Sequence, residues 1–155
     1  LVGRFLGAGD SNTATQAVFS GLILSTGYAL VCISAFLFFT KILVGIFLSK
    51  DSLQETMSMA IYCTKFTSFW ILFLCWSSVL AGGLRGAGDT YAVMIISIVF
   101  WWFEAFLVMI MVYYFELDPV TVFTFFILTI PLYFLFLLFR FLQGTWRNID
   151  VLQTP

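Results

Sequence analysis

Four long apolar stretches organise the chain, at residues 17–48, 57–82, 92–115 and 120–139, with short polar interruptions between them. Each reaches the roughly 20 apolar residues that a helix needs to cross bilayer hydrocarbon. Runs such as "ILFLC" and "FFILTIPLYFLFLLF" are apolar on every side, and none shows the period-2 alternation of barrel strands. Backbone groups in lipid must be satisfied within their own segment, so the pattern predicts four membrane-spanning helices. The first stretch is longer than one span, which predicts tilt or a solvated first turn. Pro131 inside the fourth predicts a kink. The fold class is all-α, a polytopic transmembrane helical bundle.

The links are short: "SKDSLQE" (49–55), "RGAGDT" (85–90) and "ELDP" (116–119). Short links force antiparallel neighbours, so successive loops alternate sides. One side then holds the two GAGD segments and the tail, 140–155, with Arg4, Arg85, Arg140 and Arg147. The other holds Lys50, with Lys41 close by inside its span. The positive-inside rule places the GAGD loops and the tail in the cytoplasm.

Composition agrees and removes other classes. The 155 residues are 62% hydrophobic, 20% aromatic and only 10% charged. Soluble domains carry about a quarter charged residues. A net charge of −1 offers no field for nucleic acid. The lack of histidine argues against metal centres and His-based acid–base chemistry, and no nucleophile–base arrangement points to an enzyme. Cys32, Cys63 and Cys75 lie singly in apolar segments and read as small hydrophobes. The chain opens at Leu1 in the middle of a motif, which leads us to expect a fragment of a longer polypeptide.

GAGD followed by a hydroxyl residue occurs twice, at 7–11 and 86–90. It lacks the lysine and the extended glycine pattern of a phosphate loop, and its aspartate stands where the anion would sit. The structural reading is a tight joint between helices. Gly7 and Gly9, and likewise Gly86 and Gly88, would close one helix, and Asp10 and Asp89 would cap the next.

Charges within spans are functional candidates by default. By helix rise, Lys41 lies about 11 Å from the outer end of its span, within snorkelling reach, Lys65 roughly 14 Å and Glu104 about 17 Å. Lys65 and Glu104 match in depth and are expected to face each other, as an ion pair or across a polar cavity. Glu104 could then bind and release a proton. Phe69, Trp70, Trp76, Trp101, Trp102 and Phe103 are further candidates, able to hold hydrophobic cations by cation–π contact.

Three segments carry a family resemblance. "LVGRFLGAGD" and "LAGGLRGAGDT" resemble two loops of the multidrug and toxic compound extrusion (MATE) transporters, and "RFLQGTWRNIDV" is similar to their basic tail after the last helix. The resemblance implies that the four spans are the C-terminal helices of a twelve-helix protein built from two six-helix bundles. It implies efflux of small organic, often cationic compounds by antiport against Na+ or H+, with no other cofactor and with the N-terminal bundle as partner. It also implies a multi-pass location in the plasma membrane with the GAGD loops and C-terminus cytoplasmic. A flippase of the same superfamily, for lipid-linked oligosaccharides or lipid precursors, is the alternative, as is a non-transporting fragment. Some members carry an aspartate, as part of a cation site, about where this chain has Leu74. Coupling would then fall to Glu104 or to carboxylates in the N-terminal portion.

Overall fold

The structure, a computed structural model, describes residues 1–48 and 54–148, without the side chain of Asn148. Lys50, most of the first link and the last part of the tail (149–155) lie outside the described residues. Every regular element among those described is helical: α1 (Val2–Gly7), α2 (Ser11–Phe38), α3 (Thr40–Phe47), α4 (Gln54–Gly86), α5 (Thr90–Tyr113), α6 (Pro119–Leu142) and a closing 3-10 turn (Thr145–Asn148). Four of these, α2, α4, α5 and α6, are long and apolar enough to span a membrane.

The first apolar stretch is not a single helix. It breaks at Phe39, and α3 continues as a separate short helix. Thr40 marks the break: its hydroxyl donates back to the carbonyl of Phe36, a local bond that competes with the helical ladder and bends it. The change of direction buries Thr40 and Val44 as α3 packs against α4. At Pro131, by contrast, α6 runs through unbroken.

Helix α4 is the centre of the bundle. It lies between α2 and α6, and α5 leans mainly on α6. Lipid tails are as apolar as leucine, so close helix contact in a membrane depends on small residues. The α2–α4 seam shows this. An added Cβ on Gly83 would meet Val18 Cγ2 at 2.9 Å, and one on Gly21 would meet Val79 Cγ1 at 3.1 Å. At the end of the same seam a Cβ on Gly3 would strike the carbonyl oxygen of Gly86 at 2.5 Å, which is how α1 folds down on α4.

The core is uneven along the bundle axis. Ala14, Val18, Leu80, Leu84, Val93, Leu137, Phe141 and Trp146 make a tight cluster at the GAGD end. Toward the opposite end, no residue of α4 before Ser68, of α5 after Glu104, or of α6 before Ile127 is buried. Glu104 therefore sits at the last buried layer of α5.

Candidate functional site

Both GAGD joints are built from the same backbone. Gly9 and Gly88 take φ values of +78° and +88°, the left-handed region that glycine enters without a Cβ clash. After Gly9, the Asp10 N–H donates to Phe5 O and the Gly9 N–H to Leu6 O, both at 2.9 Å. After Gly88, the Asp89 N–H donates to Leu84 O at 2.9 Å and the Gly88 N–H to Arg85 O at 3.0 Å. Each pair is a complete Schellman closure. Gly7 and Gly86 are the last helical residues rather than the turn residues.

The two aspartates then part ways. Asp10 caps α2: its Oδ1 accepts from the Thr13 N–H at 2.9 Å and its Oδ2 from the Thr13 hydroxyl at 2.5 Å. Those bonds, the hydroxyl first, hold its carboxyl below the ordinary carboxylate range. Asp89 makes no side-chain cap to α5. It is 6% exposed and is taken by Arg140 of α6, with Nε 2.7 Å from Oδ2 and Nη2 3.1 Å from Oδ1. This corrects the expectation that Asp89 caps the next helix. The position three residues on is Ala92 instead of threonine, and a cation from α6 is within reach.

Deeper in the bundle, Glu104 is 2% exposed. Its Oε2 lies 2.6 Å from Thr129 Oγ1 on α6, in hydrogen-bond contact, and its Oε1 has no partner among the described residues. Two turns nearer the GAGD end on α5, Ser97 Oγ and Tyr133 OH are 2.9 Å apart across the same seam. Beside these polar rungs a pocket of about 470 Å³ opens between α5 and α6, lined by Val99, Phe100, Phe103, Thr129, Leu132 and Phe136 among others. Its wall is almost wholly hydrocarbon.

The family model described as MatE matches residues 1–110. The chain belongs to the MatE family. A relative from Thermotoga maritima named "Probable multidrug resistance protein NorM" is 29% identical over 153 residues, covering 98% of this chain and 32% of its own length. The chain thus spans about a third of the curated relative it matches. No solved structure matches it. MatE proteins are membrane transporters, and the four apolar helices make this chain a multi-pass membrane protein.

Within this MatE chain the candidate residues do not converge on one place. Lys65 is exposed on α4, and Glu104 meets α6; the sole ion pair among the described residues is Asp89–Arg140. The expected Lys65–Glu104 pair is absent because depth along an axis does not set which neighbour a side chain faces. Helix α5 leans on α6, so Glu104 finds Thr129. Lys41 is also exposed. Trp101 packs against Phe100 and Tyr133, with centroids 5.4 and 6.0 Å away, next to the α5–α6 pocket. Trp76 belongs to the α2–α4 seam: its indole N–H donates to Thr26 Oγ1 at 2.8 Å, and its ring lies 5.4 Å from that of Phe134. Phe69 stacks obliquely on Phe73 and remains half open.

Sequence reasoning passed over Thr129, Tyr133 and Ser97. Their signal is nonetheless present, since all three are isolated polar groups inside apolar runs and Thr129 and Tyr133 are four residues apart, on one helix face.

Proposed function

We propose that this chain is the C-terminal third of a multidrug efflux antiporter, in which inward flow of Na+ or H+ drives small organic, often cationic compounds out of the cell. Two six-helix bundles alternate access to a central cavity, and the four spans described here belong to the second. The GAGD joints and the tail face the cytoplasm of a plasma-membrane protein, the side the arginines favour. The observation that carries this reading is the family match over residues 1–110 together with the four spans. Support for a role in the α5–α6 seam comes from Glu104, a carboxyl group placed in the apolar core of a span. Trp101, Phe69 and Trp76 are the aromatic candidates for contact with a cationic substrate.

The test is ethidium efflux by the full polypeptide in everted vesicles, under imposed sodium or proton gradients. Efflux that follows either gradient is the expected result. Absence of efflux with every gradient and every amphipathic cation tried would overturn the reading.

A further inference from the structure

Hydroxyl groups inside these helices show a consistent pattern of proton use. Thr15, Thr26 and Ser97 each donate to the carbonyl four residues back, of Ser11, Leu22 and Val93, at 2.7–2.8 Å. A hydroxyl has one proton, so any further hydrogen bond it makes must be one that it accepts. The partners on neighbouring elements fit. The Trp76 indole N–H donates to Thr26 and the Arg147 guanidinium donates to Thr15, and neither group can do anything else. Tyr133 carries a phenolic proton that it can give to Ser97 in the same way.

Thr129 repeats the arrangement. Its Oγ1 lies 2.7 Å from Phe126 O on its own helix and 2.6 Å from Glu104 Oε2 on α5. Two oxygen acceptors and one proton leave one contact without a hydrogen. An ionised Glu104 could only accept, and it would also leave Oε1 buried with no partner among the described residues. Asp10 and Asp118 supply the contrast. They receive the Thr13 and Thr121 hydroxyls at the mouths of helices, where neither threonine bonds a helix carbonyl.

We infer that Glu104 carries a proton in this conformation and donates it from Oε2 to Thr129 Oγ1, and that a proton is the coupling ion taken up at this site. The inference rests on the antiporter reading and deepens it by choosing between the two ions. Uptake forms the Oε2–H bond with a proton from water; release returns that proton to water and leaves a carboxylate that must be hydrated or paired. A dehydrated metal cation requires a shell of oxygens. Among the described residues the hydroxyl of Thr129 is the one side-chain oxygen in hydrogen-bond contact with the carboxyl, and no group of three or more metal-ligating side chains is present. The other titratable groups on the elements packed nearby are Tyr133 on the same seam, Asp118 and Arg140 at the two ends of α6, and Lys65, Tyr62, Cys63, Cys75, Glu55 and Arg85 on α4. None forms a hydrogen bond or ion pair with Glu104.

Infrared difference spectroscopy on the full polypeptide, with parallel transport in proteoliposomes, tests this. At neutral pH a protonated-carboxyl C=O band should be present in the wild type. It should be lost in Glu104→Gln and moved to higher frequency in Thr129→Val, which folds with one fewer hydrogen-bond partner for the acid. Glu104→Gln, which mimics the protonated form, should lose proton-driven efflux. An ionised carboxylate at neutral pH with no such band, or efflux by Glu104→Gln that follows the proton gradient as in the wild type, would overturn the inference and leave the efflux reading standing. Efflux that responds only to sodium would do the same. If the wild type effluxes nothing, the antiporter reading fails while the band still reports the proton on Glu104.

Discussion

Arg140 holds Asp89 through two parallel bonds, Nε to Oδ2 at 2.7 Å and Nη2 to Oδ1 at 3.1 Å, tying the α4–α5 joint to the end of α6. Nε and Nη2 of a guanidinium match the two oxygens of a carboxylate, a geometry that lysine lacks. A third contact, Nη1 to Gln143 Oε1 at 3.3 Å, steadies the fork.

Removing one partner of that pair should cost more than removing both. Arg140→Ala leaves Asp89 buried without its cation, a loss of about 1–3 kcal/mol. Arg140→Lys should recover part of it. The double variant Asp89→Ala/Arg140→Ala should be less destabilised than the two single losses added together. Thermal denaturation of the detergent-solubilised full polypeptide reads the wild type, these three variants and Asp89→Ala. Strict additivity would show that the two side chains do not act on each other.

Asp10 and Asp118 are capping carboxylates, and their bonds to Thr13 and Thr121, hydroxyl first and then N–H, lower both pKa values. A depressed folded-state value means that the caps are fully in place above the ordinary carboxylate range and are lost as pH falls through the folded value. Hydrogen exchange at the Thr13 and Thr121 amides should therefore accelerate, beyond the intrinsic pH effect, only in that acid window. Asp10→Asn, which caps without titrating, should remove the pH response at Thr13 and leave it at Thr121. A response that persists in Asp10→Asn would assign it to another group.

What could be read from the chain alone was set by local chemistry. Apolar length alone marks the four spans, and the glycine turns at Gly9 and Gly88 follow from the left-handed backbone that a Schellman closure needs. The break at Phe39 was hidden because "FLFFTKIL" has no Gly or Pro, and only the packing of α3 on α4 reveals what Thr40 does. Asp10 and Asp89 look alike in sequence and differ in use, since a partner 51 residues away decides the fate of Asp89. Glu104 is legible in the sequence as a carboxyl group inside an apolar span, and the structure buries it, but its partner depends on which helices touch. Residue spacing gives depth and face within one helix; it does not give the rotation of one helix against the next.

The tail folds back onto the bundle through Trp146, which is wholly buried, stacks on Phe141 at 5.0 Å and donates its indole N–H to Phe141 O at 2.8 Å. Gly144, at φ +69°, makes the reversal that brings it there. Trp146→Ala should destabilise the protein by about 3–5 kcal/mol, the cost of an emptied aromatic site. Trp146→Phe keeps the stack and loses only the hydrogen bond, about 1 kcal/mol. Equal loss from both, measured by thermal denaturation, would mean that the hydrogen bond rather than the packing holds the tail.

Two adjacent glycines in α4 should respond oppositely to the same added methyl group. Gly83 faces α2, where its Cβ would come within 2.9 Å of Val18 Cγ2, and valine is stiff about χ1 and slow to move aside. Gly82 points away, with nothing within 4 Å of the position a Cβ would take. Gly83→Ala should push α2 from α4 and cost about 1–3 kcal/mol, the range for overpacking. Gly82→Ala should be neutral or stabilise by up to about 1 kcal/mol, since alanine loses less backbone freedom in a helix than glycine. Val18→Ala should relieve Gly83→Ala and do nothing for Gly82→Ala, because only the first clash involves that side chain. If Gly83→Ala proves as harmless as Gly82→Ala, the close α2–α4 contact is not what holds this seam.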